Sequence, residues 1–528
     1  MASIPAIRAS SLIVTNHPIC TSIGRDLHRL GGTAQDIFIG TSLCEGVVNP
    51  MDSGIGGGFQ AVVANNTCRE FINSRETSPH LFPPNYPPSY PRHYPRHYPH
   101  HYPSQLLPKY QIGIPSMLKG YEYLYFNSSC GPASRLSWAT LIQPSIDLAR
   151  NGFPMSQTLQ NVLHNINGLE TLLIIDRQTG LVKNPRLASL LTFIAQEGGK
   201  SSLYEANGTL LNVVQHELLS IGSMIREQDF IRYKVEQRHP INCTFKGMTV
   251  VTTDLPGSGV CICFFLSLLD YINPINLSWW HKFIIKIQAI RYMYIIQPYL
   301  LEFPFDEILN QIPLIALQIE REKQQNPFNV LNVKKFGNLT LRNLDFGNVY
   351  GTSHINVKIG STQLSATSSI NHSFGSKIPS RLGFFYNNQL DDFSKQFSSR
   401  NFYSNDARPQ SSMSGTIIID RRGHPVFSIG AAGGKKIIGA IANTLYNYFI
   451  NRMTLKDAVA YPRCIPLNEI LVCEPSLPHH LKNLVLRFTN RLKWGTEAGY
   501  SAVTASTTLR KRREAIFDPR RGGSGIVL

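Results

Sequence analysis

Charge is scarce in this chain: 16% of its 528 residues are Asp, Glu, Lys or Arg, against a hydrophobic fraction of 42%. That balance excludes a charge-dominated disordered protein. It suits a chain burying one large core or two to four smaller ones. Acidic residues are the rarer sign, 34 against 51 basic, for a net charge of +17. The basic residues are scattered, with one main cluster at Arg510-Lys511-Arg512-Arg513 and Arg520-Arg521 nearby. No RNA- or DNA-binding signature accompanies them, so a basic solvated surface is expected and no nucleic-acid partner. Cysteine is sparse: none of the nine has zinc spacing, and the C-x-C pair Cys261 and Cys263 sits in an apolar run where burial is expected. Asp270 ends that run well short of a membrane span. Met1 to Ser11 lack the apolar core of a signal segment, which leaves either a cytosolic protein or one whose true N-terminus lies upstream. Sequons at Asn65, Asn127, Asn207, Asn242, Asn276, Asn338 and Asn371 lean together toward a secretory route, though each is short enough to arise by chance.

Periodicity places elements along the chain. Cys20, Ile23, Leu27 and Leu30 predict a helix stopped by Gly31-Gly32, and a second helix runs from Thr33 to about Cys44. The Gly run at 54–58 matches no P-loop or dinucleotide loop, so tight backbone packing is expected before a strand from Phe59 to Val63. Residues 83–103 repeat Tyr-Pro with interleaved histidines, which predicts an exposed polyproline-type insert. Ser137 to Arg150 and most of 155–230 read as helical; 260–335 is unusually apolar and carries no chemical motif. Ile355, Val357 and Ile359 alternate with Asn356 and Lys358, a strand headed by Thr352. Thr416 to Asp420 and Val426 to Ile429 read as a hairpin, and Gly430 to Gly434 as a loop entering a helix marked by Ile437, Ile441, Leu445 and Phe449. Amides at such a helix entry are free donors and suit an oxyanion.

The most informative stretch is Gly351-Thr352-Ser353-His354 with Ser365 to Asn371. A threonine directly after glycine, at the head of a strand, suits a nucleophile released by chain cleavage. Its new α-amine then serves as its own base. Taken alone, an ordinary strand threonine is the commoner reading.

Further segments surround this one in a fixed order: Ile72 to Glu76, Gln143 to Ile146, Phe374 to Lys377, Asn387 to Phe393, Ser411 to Met413, Gly430 to Gly434 and Asp518 to Gly523. With these the chain resembles the gamma-glutamyltransferase family of N-terminal nucleophile hydrolases, over nearly all of 8–155 and 350–528. The resemblance implies an α+β fold, a four-layer αββα sandwich. It implies self-cleavage at Gly351-Thr352 into a large subunit 1–351 and a small catalytic subunit 352–528 that stay together. It also implies γ-glutamyl amides as substrates, glutathione foremost, with water or an amino acid or peptide as acceptor and no metal or organic cofactor. Arg75 would hold the substrate α-carboxylate by a two-pronged contact, helped by Ser411 and Ser412. Asp392, with Asn371 and Gln389, would take the α-ammonium. Gly433 and Gly434 would donate to the oxyanion, and Ser369 would orient the α-amine. A disulfide between Cys20 and Cys44 is implied as well, hence an oxidising compartment or the extracellular face of the plasma membrane.

Plainer roles exist for each residue. Arg75 would form a structural ion pair, Asp392 cap a turn beside a solvated Asp391, Ser411-Ser412 lie in a loop, Gly433-Gly434 merely admit a helix, and Cys20 and Cys44 stay free thiols. The chain departs from the family pattern in the insert at 83–103, in the divergent region 260–345, and in having no N-terminal anchor. Two other functions are therefore weighed beside the first: an unprocessed, catalytically inactive binding or structural protein, and an acylase of related fold.

Overall fold

A computed structural model of the protein describes residues 11–80, 107–131, 134–163, 172–325, 335–336, 339–340, 351–394, 399–467, 470–488, 492–495 and 501–528. The insert expected at 83–103 lies outside them. Two antiparallel sheets form the centre. The first has seven strands, in the spatial order Ser524–Val527, Leu12–Thr15, Thr352–Ile359, Thr362–Ser369, Gly58–Ala64, Arg69–Ser74 and Glu236–Arg238. The second has six: Glu514–Phe517, Ala502–Thr507, Pro425–Ala432, Thr416–Ile419, Met248–Thr252 and Ile241–Phe245. Helices cover the outer face of each, giving the four-layer αββα sandwich that the motifs imply. One apolar core lies under the helices Pro18–Arg29, Ala34–Val48, Met117–Phe126, Trp138–Asn151 and Pro185–Gln196. The other lies under Gly259–Ile272, Trp279–Ile296, Ile312–Gln325 and Ile437–Phe449.

Local chemistry sets these elements. His17 caps the first helix with Pro18 behind it, and Thr33 and Asp36 form a reciprocal capping box on the second. The Cys20–Cys44 disulfide ties the two together, as expected. The second helix runs past Cys44 to Val48, because Glu45 is not an exposed end. It is buried, it accepts from Asn49 Nδ2 at 2.7 Å, and burial pushes its carboxyl up to about 7. Three further disulfides join Cys68–Cys130, Cys243–Cys263 and Cys464–Cys473. Cys263 is thus bonded, while Cys261 is the buried free thiol. No described helix is long and apolar enough to cross a membrane.

The Thr352 strand corrects a simple inference from alternation. Its polar residues do not face water. Ile355 and Val357 pack toward the first core, and His354, Asn356 and Lys358 face the second sheet. There the polar groups satisfy one another: His354 Nδ1 meets Thr367 Oγ1 at 2.7 Å, and Asn356 Nδ2 donates to Thr504 O at 3.0 Å. Gln363 Nε2 donates to Ser506 Oγ at 3.2 Å. A small apolar plug of Val62, Ala64, Phe71, Val251, Ile417 and Ile419 completes the layer. The Gly430 to Gly434 segment is corrected too: Gly430, Ala431 and Ala432 belong to the strand, and only the last two glycines turn into the helix. Residues 155–230 hold two short strands, Ile174–Ile175 and Leu181–Lys183, which form a small sheet with Phe153–Pro154.

Burial holds the His354 imidazole neutral, down to about 3. Between that value and the ordinary one near 6.5, the unfolded chain takes a proton that the fold refuses, so His354 costs stability as pH falls, on the order of 2 kcal/mol by pH 5. Glu45 and Glu76, each pushed up to about 7, work in the opposite direction. The check is therefore a difference: on going from pH 7.5 to 5, His354→Asn should lose less melting temperature than the unaltered chain. An equal or larger loss would contradict the assignment.

Candidate active site

Gly351 precedes the strand with φ of +141°, and a Cβ there would lie 1.9 Å from Asn371 O, so only glycine fits. Thr352 follows, buried, directly opposite Ser369 in the strand register. Ser369 Oγ lies 3.2 Å from Thr352 Oγ1 and donates to Gly351 O at 2.6 Å. It also accepts from Asn371 N at 2.8 Å. A serine has one proton, and with that proton on Gly351 O the Thr352 hydroxyl is left to donate to Ser369. Gly351 O receives a second donor, Ile370 N, at 3.1 Å. Thr352 Oγ1 therefore sits beside a carbonyl already held by a hydroxyl and an amide.

Asp52 supports the same bond from another side, its Oδ1 accepting from Gly351 N at 2.9 Å. Burial pushes the Asp52 carboxyl up, against the pull of Arg521 and of the Gly351 and Thr352 amides. Arg521 Nη1 donates to Thr352 O at 3.3 Å and lies 3.8 Å from Asp52 Oδ2. Its neighbour Arg520 pairs with Asp518 at 2.8 Å and Glu474 at 2.6 Å, and Asp518 also pairs with the fully buried Arg463. Arg520 and Arg521 are therefore structural and do not extend the surface cluster.

Gly433 and Gly434 end the facing strand. Lys358 Nζ donates to Pro425 O, and Gly430 lies against the His354 ring. Going back along one strand toward Thr352 thus corresponds to going forward along the other toward Gly433. Gly433 has φ of +130° and no room for a Cβ, which would meet Ser501 Oγ at 2.5 Å.

A second cluster lies alongside. Arg75, at the end of its strand, is 1% exposed; its Nη2 pairs with Asp392 Oδ2 at 2.7 Å and its Nε donates to Pro409 O at 2.8 Å. Nη1 of Arg75 is buried with no hydrogen-bond partner among the described residues. Gln389 Nε2 donates to the same Asp392 oxygen at 2.7 Å, leaving its own buried Oε1 unmatched. Asn371 links the clusters: its N–H goes to Ser369, and its Nδ2 to Asn388 O at 3.1 Å, next to Gln389. Ser411 and Ser412 follow Gln410, whose carbonyl accepts from Arg75 Nη2 at 3.2 Å. Arg75 and Asp392, expected to take the α-carboxylate and the α-ammonium of one head group, are here paired with each other. Buried donors and acceptors without partners, converging on a half-exposed carboxylate, suit a zwitterionic head group.

A family model described as gamma-glutamyltranspeptidase matches residues 20–528, straight through the divergent middle. The chain belongs to the gamma-glutamyltranspeptidase family. It is an enzyme of the N-terminal nucleophile type. Among its relatives, glutathione hydrolase proenzyme 2 of Schizosaccharomyces pombe is 25% identical over 98% of this chain and 86% of its own length. Glutathione hydrolase 3 of Arabidopsis thaliana is 27% identical over 87% of this chain and 73% of its own. Among solved structures, cephalosporin acylase from Bacillus halodurans superposes with a TM-score of 0.78 at 17% identity, covering 100% of this chain and 98% of that one. At that identity the likeness shows the fold alone. Of this family member's contacts, sequence reasoning missed Asp52, which precedes the Gly run with nothing to mark it, and Gln297, discussed below. It quoted Arg521 in a motif without giving it a role.

Gly351→Ala should cost on the order of 2 kcal/mol or more, because the added methyl collides with backbone at a φ that alanine disfavours. Melting in a Thr352→Ala background, where no chain break intervenes, reads this directly; an unchanged melting temperature would refute it.

Proposed function

We propose that this enzyme is a glutathione hydrolase and gamma-glutamyltransferase that cuts itself at Gly351-Thr352 and then uses Thr352 as its nucleophile. Its chief support is the Thr352 hydroxyl facing Ser369, whose own proton rests on the Gly351 carbonyl. In the precursor, Thr352 Oγ1 adds to the Gly351 carbonyl carbon, and its hydroxyl proton is the one that the Thr352 nitrogen receives when the C–N bond breaks. The Ser369 hydroxyl and the Ile370 amide stabilise the oxyanion. The C–N bond then breaks, the Thr352 nitrogen gains a proton, and water hydrolyses the resulting ester. Subunits 1–351 and 352–528 remain associated as a heterodimer.

The freed α-amine, with an ordinary pKa of about 7.7–8.0, takes the Thr352 hydroxyl proton near neutral pH. Oγ1 attacks the γ-carbonyl of glutathione, the Gly433 and Gly434 amides hold the oxyanion, and the cysteinylglycine amine leaves with a proton. Water or an amino acid or peptide acceptor then resolves the γ-glutamyl-threonine ester, which predicts ping-pong kinetics with acceptor. Arg75, Ser411 and Ser412 hold the α-carboxylate; Asp392, Asn371 and Gln389 hold the α-ammonium. The names of the relatives support glutathione as substrate. An acylase acting on acyl groups without an amino acid head would have no use for the Arg75–Asp392 set. Four disulfides suit an oxidising compartment.

Purified protein should run as two fragments, the smaller beginning at Thr352, while Thr352→Ala stays a single chain. A folded, intact wild type would sink the mechanism. Hydrolysis of a γ-glutamyl anilide by the processed enzyme should rise with pH through about 7.5–8 as the α-amine deprotonates. Asp392→Ala should reduce kcat/KM by about a hundredfold or more, since an ammonium partner is lost and Arg75 is left buried and unpaired.

A further inference from the structure

A side chain of the divergent region, which carries no motif, reaches the substrate loop. Gln297 follows the helix Trp279–Ile296 and is buried, 6% exposed. Its Nε2 donates to Ser412 Oγ at 2.8 Å and to Ser258 Oγ at 3.2 Å. Its backbone carbonyl accepts from Gln410 Nε2 at 2.6 Å. Ser258 Oγ in turn donates to Ser411 O at 2.6 Å, and Ser411 N donates to Pro256 O at 2.7 Å. The loop 409–412 is therefore held from two sides, by Arg75 on the carbonyls of 409 and 410 and by Gln297 on Ser412 and the Gln410 side chain.

The proton count gives this arrangement a direction. Ser258 has one proton, and it is spent on Ser411 O. Ser258 must then accept from Gln297, which fixes the amide with its NH2 toward both serines. Ser412 Oγ accepts one of those N–H bonds, so its own hydrogen is left to point elsewhere. A half-buried hydroxyl fixed in this sense is a donor, and a donor suits an anion. We infer that Gln297 is a positioning residue that holds Ser412 as a hydrogen-bond donor to a free α-carboxylate. Substrates whose glutamyl head lacks that carboxylate are thereby disfavoured. This rests on the function proposed above and assigns to the divergent helix a part in substrate choice.

The test compares wild type with Gln297→Met, similar in length but unable to donate, and Gln297→Glu, equal in size but an acceptor when ionised. With a γ-glutamyl anilide, each variant should raise KM about tenfold or more and leave kcat within about threefold, the pattern of lost uniform binding. Gln297→Glu should be the worse of the two. Competitive inhibition supplies the control that mere loosening would not reproduce. The inhibition constant of L-glutamate should rise about tenfold in Gln297→Met, while that of 4-aminobutyrate, which lacks the α-carboxylate, should move by less than about twofold. Equal weakening of both ligands, or an unchanged KM in either folded variant, overturns the assignment. The isosteric Gln297→Glu keeps the test open if Gln297→Met fails to fold. A wild type that is folded yet never cleaves the anilide removes the proposed function and this inference together. Normal wild-type turnover with unaltered variants removes this inference alone.

Discussion

Everything at the candidate active site hangs on one hydrogen bond, from the Ser369 hydroxyl to the Gly351 carbonyl. It exists because two neighbouring strands pair with Thr352 opposite Ser369, a register kept over eight residue pairs. A slip of one residue would turn both side chains to the other face. The register is pinned from both faces. Ile355, Val357, Leu364 and Ala366 are buried in the first core. On the other face His354 is matched to Thr367 of the neighbouring strand, and Asn356 and Gln363 to Thr504 and Ser506 of the second sheet. A misplaced polar residue in that dry layer would leave unmatched donors, so the polar contacts specify alignment more sharply than apolar packing would.

Much of this was legible in the sequence. The helices expected from about Thr33 and Ser137 and the Thr352 strand stand where periodicity places them. Other features were hidden for physical reasons. Alternation shows that a strand has two unlike faces. It does not show that the polar face is covered, because a second sheet can satisfy hydroxyls and amides as well as water can. Glu45 looks like a solvated helix end and is buried. Cys464 and Cys473 pair across a hairpin, and Cys68 and Cys130 at a separation of 62 residues, neither of which spacing discloses. Arg75 and Asp392 were each visible; their pairing was not, since 317 residues separate them.

The divergent region is the clearest case of meaning without motif. Its helices Gly259–Ile272 and Trp279–Ile296 are buried on nearly every side, packed between the second sheet and one another. Such burial needs volume and apolarity more than particular residues, so the sequence can drift while the layer persists. Where the Trp279–Ile296 helix ends, that freedom stops: Gln297 must donate to two hydroxyls at once, and few side chains of that reach can do so.

The segment Asp518 to Arg521 has a consequence for timing. Asp518 locks onto Arg463, Arg520 onto Glu474, and Arg521 reaches the carbonyl of Thr352. The strand Ser524–Val527 then closes the edge of the first sheet beside Leu12–Thr15. These residues thus brace both the strand Leu12–Thr15 and the bond proposed to break. A chain lacking residues 518–527 cannot assemble this geometry. Under the proposed mechanism, scission waits for this segment to dock, and a chain without it keeps its nucleophile sealed.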